Sequence, residues 1–198
     1  PMLPEHTDVR QHILDTAKPI ILGKGFAAAG LNELLSAADV PKGSFYHYFK
    51  SKEAFGEALL DSYFCSYQER LAELLQSGSG TAGERLMSYW QLWLDTQAND
   101  GPDGKCLAVK LGGEVSDLSE AMRSALERGT SRIVDMIAAC IRDAQADASL
   151  SADLNAADCA LVLYNLWLGA TVLTKIRRNR SGLEAAMVAT RQLLSVAS

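Results

Sequence analysis

Residues 31–53 read LNELLSAADVPKGSFYHYFKSKE. Leu31, Leu34 and Leu35 recur at helical spacing, and Phe45 and Phe49, four apart, form a second apolar stripe. Asp39-Val40-Pro41 lies between them. Proline presets φ for the first turn of a helix and cannot continue the preceding one, and aspartate tolerates the irregular backbone of a corner. The stretch predicts two short helices across a tight turn, a helix-turn-helix.

With Phe45 and Phe49 turned inward, the second helix presents Lys42, Gly43, Ser44, Tyr46, His47 and Tyr48. That face suits DNA. Lysine brings charge to phosphate, Ser and Tyr hydroxyls and a His ring nitrogen bond phosphates or base edges, and glycine permits close approach to a groove. An ordinary two-helix corner with an aromatic surface satisfies the same pattern.

The run GSFYHYFKSKEAF at 43–55, preceded by LLSAADVPK and GFAAAGL, resembles the DNA-binding domain of the TetR family of transcriptional regulators. The specific part of the likeness spans Val9 to about Phe64. It continues more weakly to the end of the chain, where GKCLAVKLGGEVSDLSEAMRSAL and LYNLWLGATVLTKI resemble an electrophile-responsive member of the family. Asp39 stands where the family usually has glycine, and Pro41 where it usually has serine. The first costs some turn stability and the second removes a hydroxyl N-cap. The resemblance implies an all-α fold with an N-terminal three-helix DNA-binding domain at 1–53 and a helical effector-sensing and dimerisation domain at 54–198. It also implies a dimer on an inverted-repeat operator, with recognition helices in successive major grooves about 34–36 Å apart. Lys52, beside the N-terminus of the next helix, is placed for a phosphate.

A chain of 198 residues, 48% apolar, is ample for a sizeable core. The net charge of −5 argues against an overall basic surface, but residues 1–53 balance six Lys/Arg against six Asp/Glu and hold all three histidines. The acid excess therefore falls outside the DNA-binding region. Cys65, Cys106, Cys140 and Cys159 are widely spaced with no histidine near them, so neither a zinc site nor a disulfide framework is expected. No signal-like segment appears in these residues, and the expected setting is the cytoplasm, with reduced thiols. The longest apolar run, 160–173, is interrupted by Asn165 and is shorter than the roughly 18 residues of a membrane span. Residues 1–7 are expected to fray.

The first helix is expected from a cap at Thr7 or Asp8 to Gly23 or Gly25, with Pro19 inside it. Ser51 caps a long fourth helix that ends in the Ser77-Gly78-Ser79-Gly80 linker. Further helices are predicted at 82–99, 106–116, 119–147, 155–178 and 183–196. The segment 160–173 is apolar all round, which suits a helix covered on every side. With Leu183, Met187 and Leu194 of the next helix it predicts a two-fold four-helix interface with a second chain. Trp90, Trp93 and Trp167, with Tyr89 and Tyr164, either line a ligand pocket or pack as core.

Cys106 follows Gly101-Pro102-Asp103-Gly104-Lys105 and starts a helix, and a helix N-terminus beside a lysine favours thiolate over thiol. Thiolates are what oxidants and electrophiles attack. Cys65, Cys140 and Cys159 sit among apolar helical neighbours and read as inert buried thiols. The family resemblance adds weight to Cys106 as a sensor, and Lys175 could stabilise it or simply extend to the surface. Two other readings stand beside an electrophile-released repressor. One is release by a small ligand bound non-covalently in the C-terminal domain. The other is a thiol enzyme, for which the histidines lie remote in sequence and no catalytic or cofactor motif appears, so no cofactor is expected.

Overall fold

The computed structural model describes residues 6–97 and 106–195. These form nine α-helices and no strand: α1 (His6–Lys24), α2 (Leu31–Ala38), α3 (Lys42–Tyr48), α4 (Lys52–Gln76), α5 (Ala82–Gln97), α6 (Leu107–Val115), α7 (Glu120–Ala146), α8 (Ala156–Arg177) and α9 (Ser181–Leu194). The all-α class and the N-terminal helix-turn-helix are as the sequence predicts. Residues 1–5, 98–105 and 196–198 lie outside the described residues, and with them Lys105 and the helix ends expected at 99 and 196.

Contacts divide the chain into a unit of 1–65 with 106–129 and a unit of 66–105 with 130–198. The division falls inside α4 and inside α7.

In the first unit α1 buries Ile13, Leu14, Ala17 and Ile21. It is already helical at His6, ahead of the caps expected at Thr7 or Asp8, and stops at Gly25, whose φ of +89° suits glycine. α2 ends in a Schellman motif. Asp39 is left-handed at φ 52°, its N–H reaches Ser36 O, and Val40 N–H reaches Leu35 O at 3.1 Å. The His12 ring then ties α1 to this corner through Nε2 and Ala38 O, 3.0 Å apart. Ser51 caps α4 by accepting from Ala54 N–H. Gly56 and Gly129 admit close packing: a Cβ at Gly56 would meet Phe26 and Met122, and one at Gly129 would meet Phe64.

In the second unit, residues 77–80 are a pinned corner and not a loose linker. Thr81 and Glu84 form a capping box, and Arg85 donates from Nε to Leu75 O and from Nη1 to Gly80 O. Asp147 caps the start of α5 by accepting from Ala82 N–H at 2.7 Å, and hydrogen bonding to Ser149 and to that amide holds its carboxyl below the usual range. α9 starts at Ser181, two residues before Leu183, because Asn179 accepts from the Ser181 amide and hydroxyl.

α8 packs along α9, and α9 against α5. Two sequence expectations change here. Leu183, Met187 and Leu194 are buried within the protomer, so the apolar residues that α9 leaves outside are Val188 and Leu193. α8 has the extent expected of it, but where the run 160–173 falls short of a membrane span, its 22 residues include an 18-residue window of mean hydropathy 1.5, enough by length and composition to cross a membrane. One side of this helix is nonetheless core, through Leu163, Tyr164, Trp167 and Thr171. The other side exposes Leu161, Val162, Val172, Leu173 and Ile176.

Candidate nucleic-acid interface and thiol site

α3 is short and has no side-chain cap; Pro41 at its N-cap accepts from Ser44 and Phe45 through its carbonyl. Seven residues do not hold a helix by themselves. Phe45 anchors it, fully buried against Phe49 and Phe55 with ring centroids 5.3 and 5.4 Å away. Arg10 covers the Phe49 ring at 5.2 Å. Truncating Phe45 to Ala would cost about 3–5 kcal/mol.

The opposite face carries the predicted set. Lys42, Gly43, Tyr46 and His47 are exposed, and Ser44 and Tyr48 are half-buried. Lys42 Nζ stands 6.0 Å from the Tyr46 ring, and His47 and Tyr48 meet edge to face at 4.9 Å. A Cβ added at Gly43 would meet no atom within 4 Å, so packing inside the protein does not require glycine there. Lys52 is turned inward. Its Nζ donates to Phe26 O at 2.9 Å and lies 4.7 Å over the Phe26 ring, so a phosphate contact by Lys52 has to compete with that bond. Exposed Lys50, passed over in the sequence reading, follows Phe49 directly and adds a cation beside the helix.

Cys106 is the N-cap of α6 and half-buried. The Tyr63 hydroxyl donates to its Sγ at 3.6 Å. At the other end of α6, Glu114 accepts from the backbone N–H groups of Phe26 at 3.2 Å and Ala27 at 2.7 Å, and Lys110 Nζ reaches Gly23 O at 3.5 Å. α6 thus joins the thiol to the loop between α1 and α2. Cys140 and Cys159 are buried, as expected, and burial pushes the Cys140 thiol up to about 11 and the Cys159 thiol upward too. Cys65 corrects the sequence reading: it is exposed on α4. Lys175 is exposed in the last turn of α8 and belongs to the second unit.

Trp90, Trp93 and Trp167 form a packed cluster. Trp90 stacks on Trp167 at 5.2 Å, Trp93 Nε1 donates to Thr171 Oγ1, and Trp167 Nε1 to Thr190 Oγ1, both at 2.9 Å. A surface cleft of about 630 Å³ in the same unit is lined by other residues, among them Met87, Ser88, Gln91, Ser149 and Arg191. Among the described residues no group of three His, Cys, Asp or Glu is placed to hold a metal ion.

Comparison with known proteins shows the family and the fold. The family "Bacterial regulatory proteins, tetR family" matches residues 13–59, and "Tetracyclin repressor-like, C-terminal domain" matches 82–190. The chain is 42% identical over 191 residues to the HTH-type transcriptional repressor NemR of Escherichia coli strain K12, covering 96% of each chain. It is 34% identical to the HTH-type transcriptional repressor DhaR of Mycobacterium sp. strain GP1, over 90% of this chain and 88% of that one. The crystal structure of E. coli NemR in its reduced form superposes with a TM-score of 0.90, covering 96% of this chain and 99% of that one.

Proposed function

Because the chain belongs to the TetR family of transcriptional regulators, we propose that it is a dimeric, cytoplasmic repressor that binds an inverted-repeat operator and is released when an electrophile or oxidant modifies Cys106. The relatives are transcriptional regulators and not enzymes, so the thiol-enzyme reading is set aside. The observation that carries the DNA-binding part is the two-sided α3, bolted down by Phe45 and presenting Lys42, Gly43, Ser44, Tyr46, His47 and Tyr48 outward. Lys42 and Lys50 meet phosphates, Ser44, Tyr46, His47 and Tyr48 bond backbone or base edges, and open Gly43 lets the helix sit close in the major groove. Lys52 joins them on exchanging Phe26 O for a phosphate.

Release follows from α6. Cys106 begins that helix and Glu114 ends it on the α1–α2 loop, so a group added at the sulfur displaces a rod of nine residues attached to the DNA-binding helices. The relative NemR was solved in a form described as reduced, which supports a redox-responsive thiol here. Titrating operator binding by mobility shift, with and without N-ethylmaleimide or hypochlorite, tests the reading. Wild type is expected to let go and Cys106→Ser to hold on. Equal release of both would move sensing to a non-covalent ligand in the second unit, with the Trp90, Trp93 and Trp167 cluster opening to admit it.

A further inference from the structure

We infer that Tyr63, backed by Lys18, is the positioning residue that prepares the Cys106 sulfur for attack on electrophiles. This rests on the reading of Cys106 as the sensor, and it concerns how that sulfur becomes reactive. The Tyr63 ring is buried on α4, and its hydroxyl donates to Cys106 Sγ at 3.6 Å, within reach for a sulfur acceptor. On the ring lies the ammonium of Lys18 from α1, with Nζ 5.4 Å from the centroid. A cation held against a phenol draws electron density from it and makes its O–H a stronger donor. A donor aimed at sulfur fixes where the sulfur points, and the bond tightens as negative charge gathers on its acceptor, because a hydrogen bond to a charged acceptor is roughly twice as strong as one between neutral groups. Three helices thus converge on one atom: α1 supplies the charge, α4 the donor and α6 the nucleophile.

The step itself balances. The thiol proton leaves to solvent and the sulfur lone pair forms a C–S bond at the β-carbon of an unsaturated carbonyl. The displaced π pair takes a proton at the α-carbon. Tyr63 keeps its own proton throughout and holds the sulfur in place through its hydrogen bond.

The test uses a variant with Cys65→Ser, Cys140→Ala and Cys159→Ala, in which Cys106 is the one remaining thiol, and follows the rate of N-ethylmaleimide addition by mass. Tyr63→Phe should slow addition at neutral pH about fivefold, in line with loss of one charge-assisted hydrogen bond to a weak acceptor. Lys18→Met should slow it less, and Lys18→Arg, which keeps the cation, should restore the parent rate. Operator affinity of the unmodified protein should stay the same in all of them. Tyr63→Phe reacting at the parent rate would overturn the inference, as would Lys18→Arg behaving like Lys18→Met. A Tyr63 effect in a protein whose alkylation fails to release operator would uphold this inference and remove the sensor reading beneath it.

Discussion

Position 43 separates a binding role from a packing role. Glycine in a helix costs up to about 1 kcal/mol relative to alanine, and nothing inside the protein occupies the space its Cβ would take. Gly43→Ala should therefore raise the melting temperature slightly while weakening operator binding, because the added methyl meets DNA and not protein. A calorimetric scan beside a binding titration checks it, and unchanged affinity would remove Gly43 from the interface. Asp39 is the converse case, a left-handed residue exposed at the corner. Asp39→Gly should stabilise by roughly 0.5–1 kcal/mol, since glycine adopts that φ without the Cβ clash. For a chain of this size that is about 1–4 °C in melting temperature. The thiols sort by environment: a group pushed up to about 11, like Cys140, is ionised to roughly one part in ten thousand at neutral pH. Brief alkylation followed by peptide mapping should mark Cys65 and Cys106 and spare Cys140 and Cys159. The contrast between Cys106 and the buried pair was legible in the sequence. The exposure of Cys65 was not, because its neighbours Tyr63 and Phe64 are apolar on the other side of the same helix.

Elements were read more reliably than the bonds between them. Helices α8 and α9 start and stop within about two residues of their punctuation, because glycine, proline and capping side chains act locally. The Glu114 clamp shows what was hidden. Its partners are the backbone amides of Phe26 and Ala27, 88 and 87 residues away, and a backbone amide leaves no mark in a sequence. The bond that Lys52 makes was hidden in the same way, since its partner is the Phe26 carbonyl. If α6 transmits the state of Cys106, Glu114→Ala should leave the alkylation rate alone and shrink the loss of operator affinity that alkylation produces. Glu114→Gln, which keeps one acceptor oxygen, should retain more of it. Anisotropy titrations of alkylated against unmodified protein measure the ratio; the same ratio in wild type and Glu114→Ala would mean that the signal travels another way.

At the scale of the whole molecule the exposed side of α8 calls for a cover. Leu161, Leu168, Val172 and Ile176 recur at intervals of seven, four and four, a helical stripe, and Gly169 lies among them with open space where its Cβ would be. Ile176 is 71% and Val172 40% exposed, and Val188 of α9 is exposed as well. Leaving such a stripe in water forfeits roughly 25 cal/mol for each Å² that could be buried. A membrane could cover it by composition, but the opposite side of α8 is occupied by Trp167 and Thr171 of the protein core, and an operator-binding protein has its ligand in water. A second copy fits both facts, since a two-fold axis lays the same stripe on itself and lets Gly169 bring the helices close. Val172→Asp tests this without touching the protomer's interior, as the side chain is already partly in solvent. The aspartate should cost several kcal/mol at the interface and almost nothing in the separate chain. Sedimentation equilibrium should then find a helical monomer where wild type is a dimer, and operator affinity should fall with the dimer. A wild type that sediments as a monomer at micromolar concentration, or a Val172→Asp variant that remains dimeric, would place the cover elsewhere.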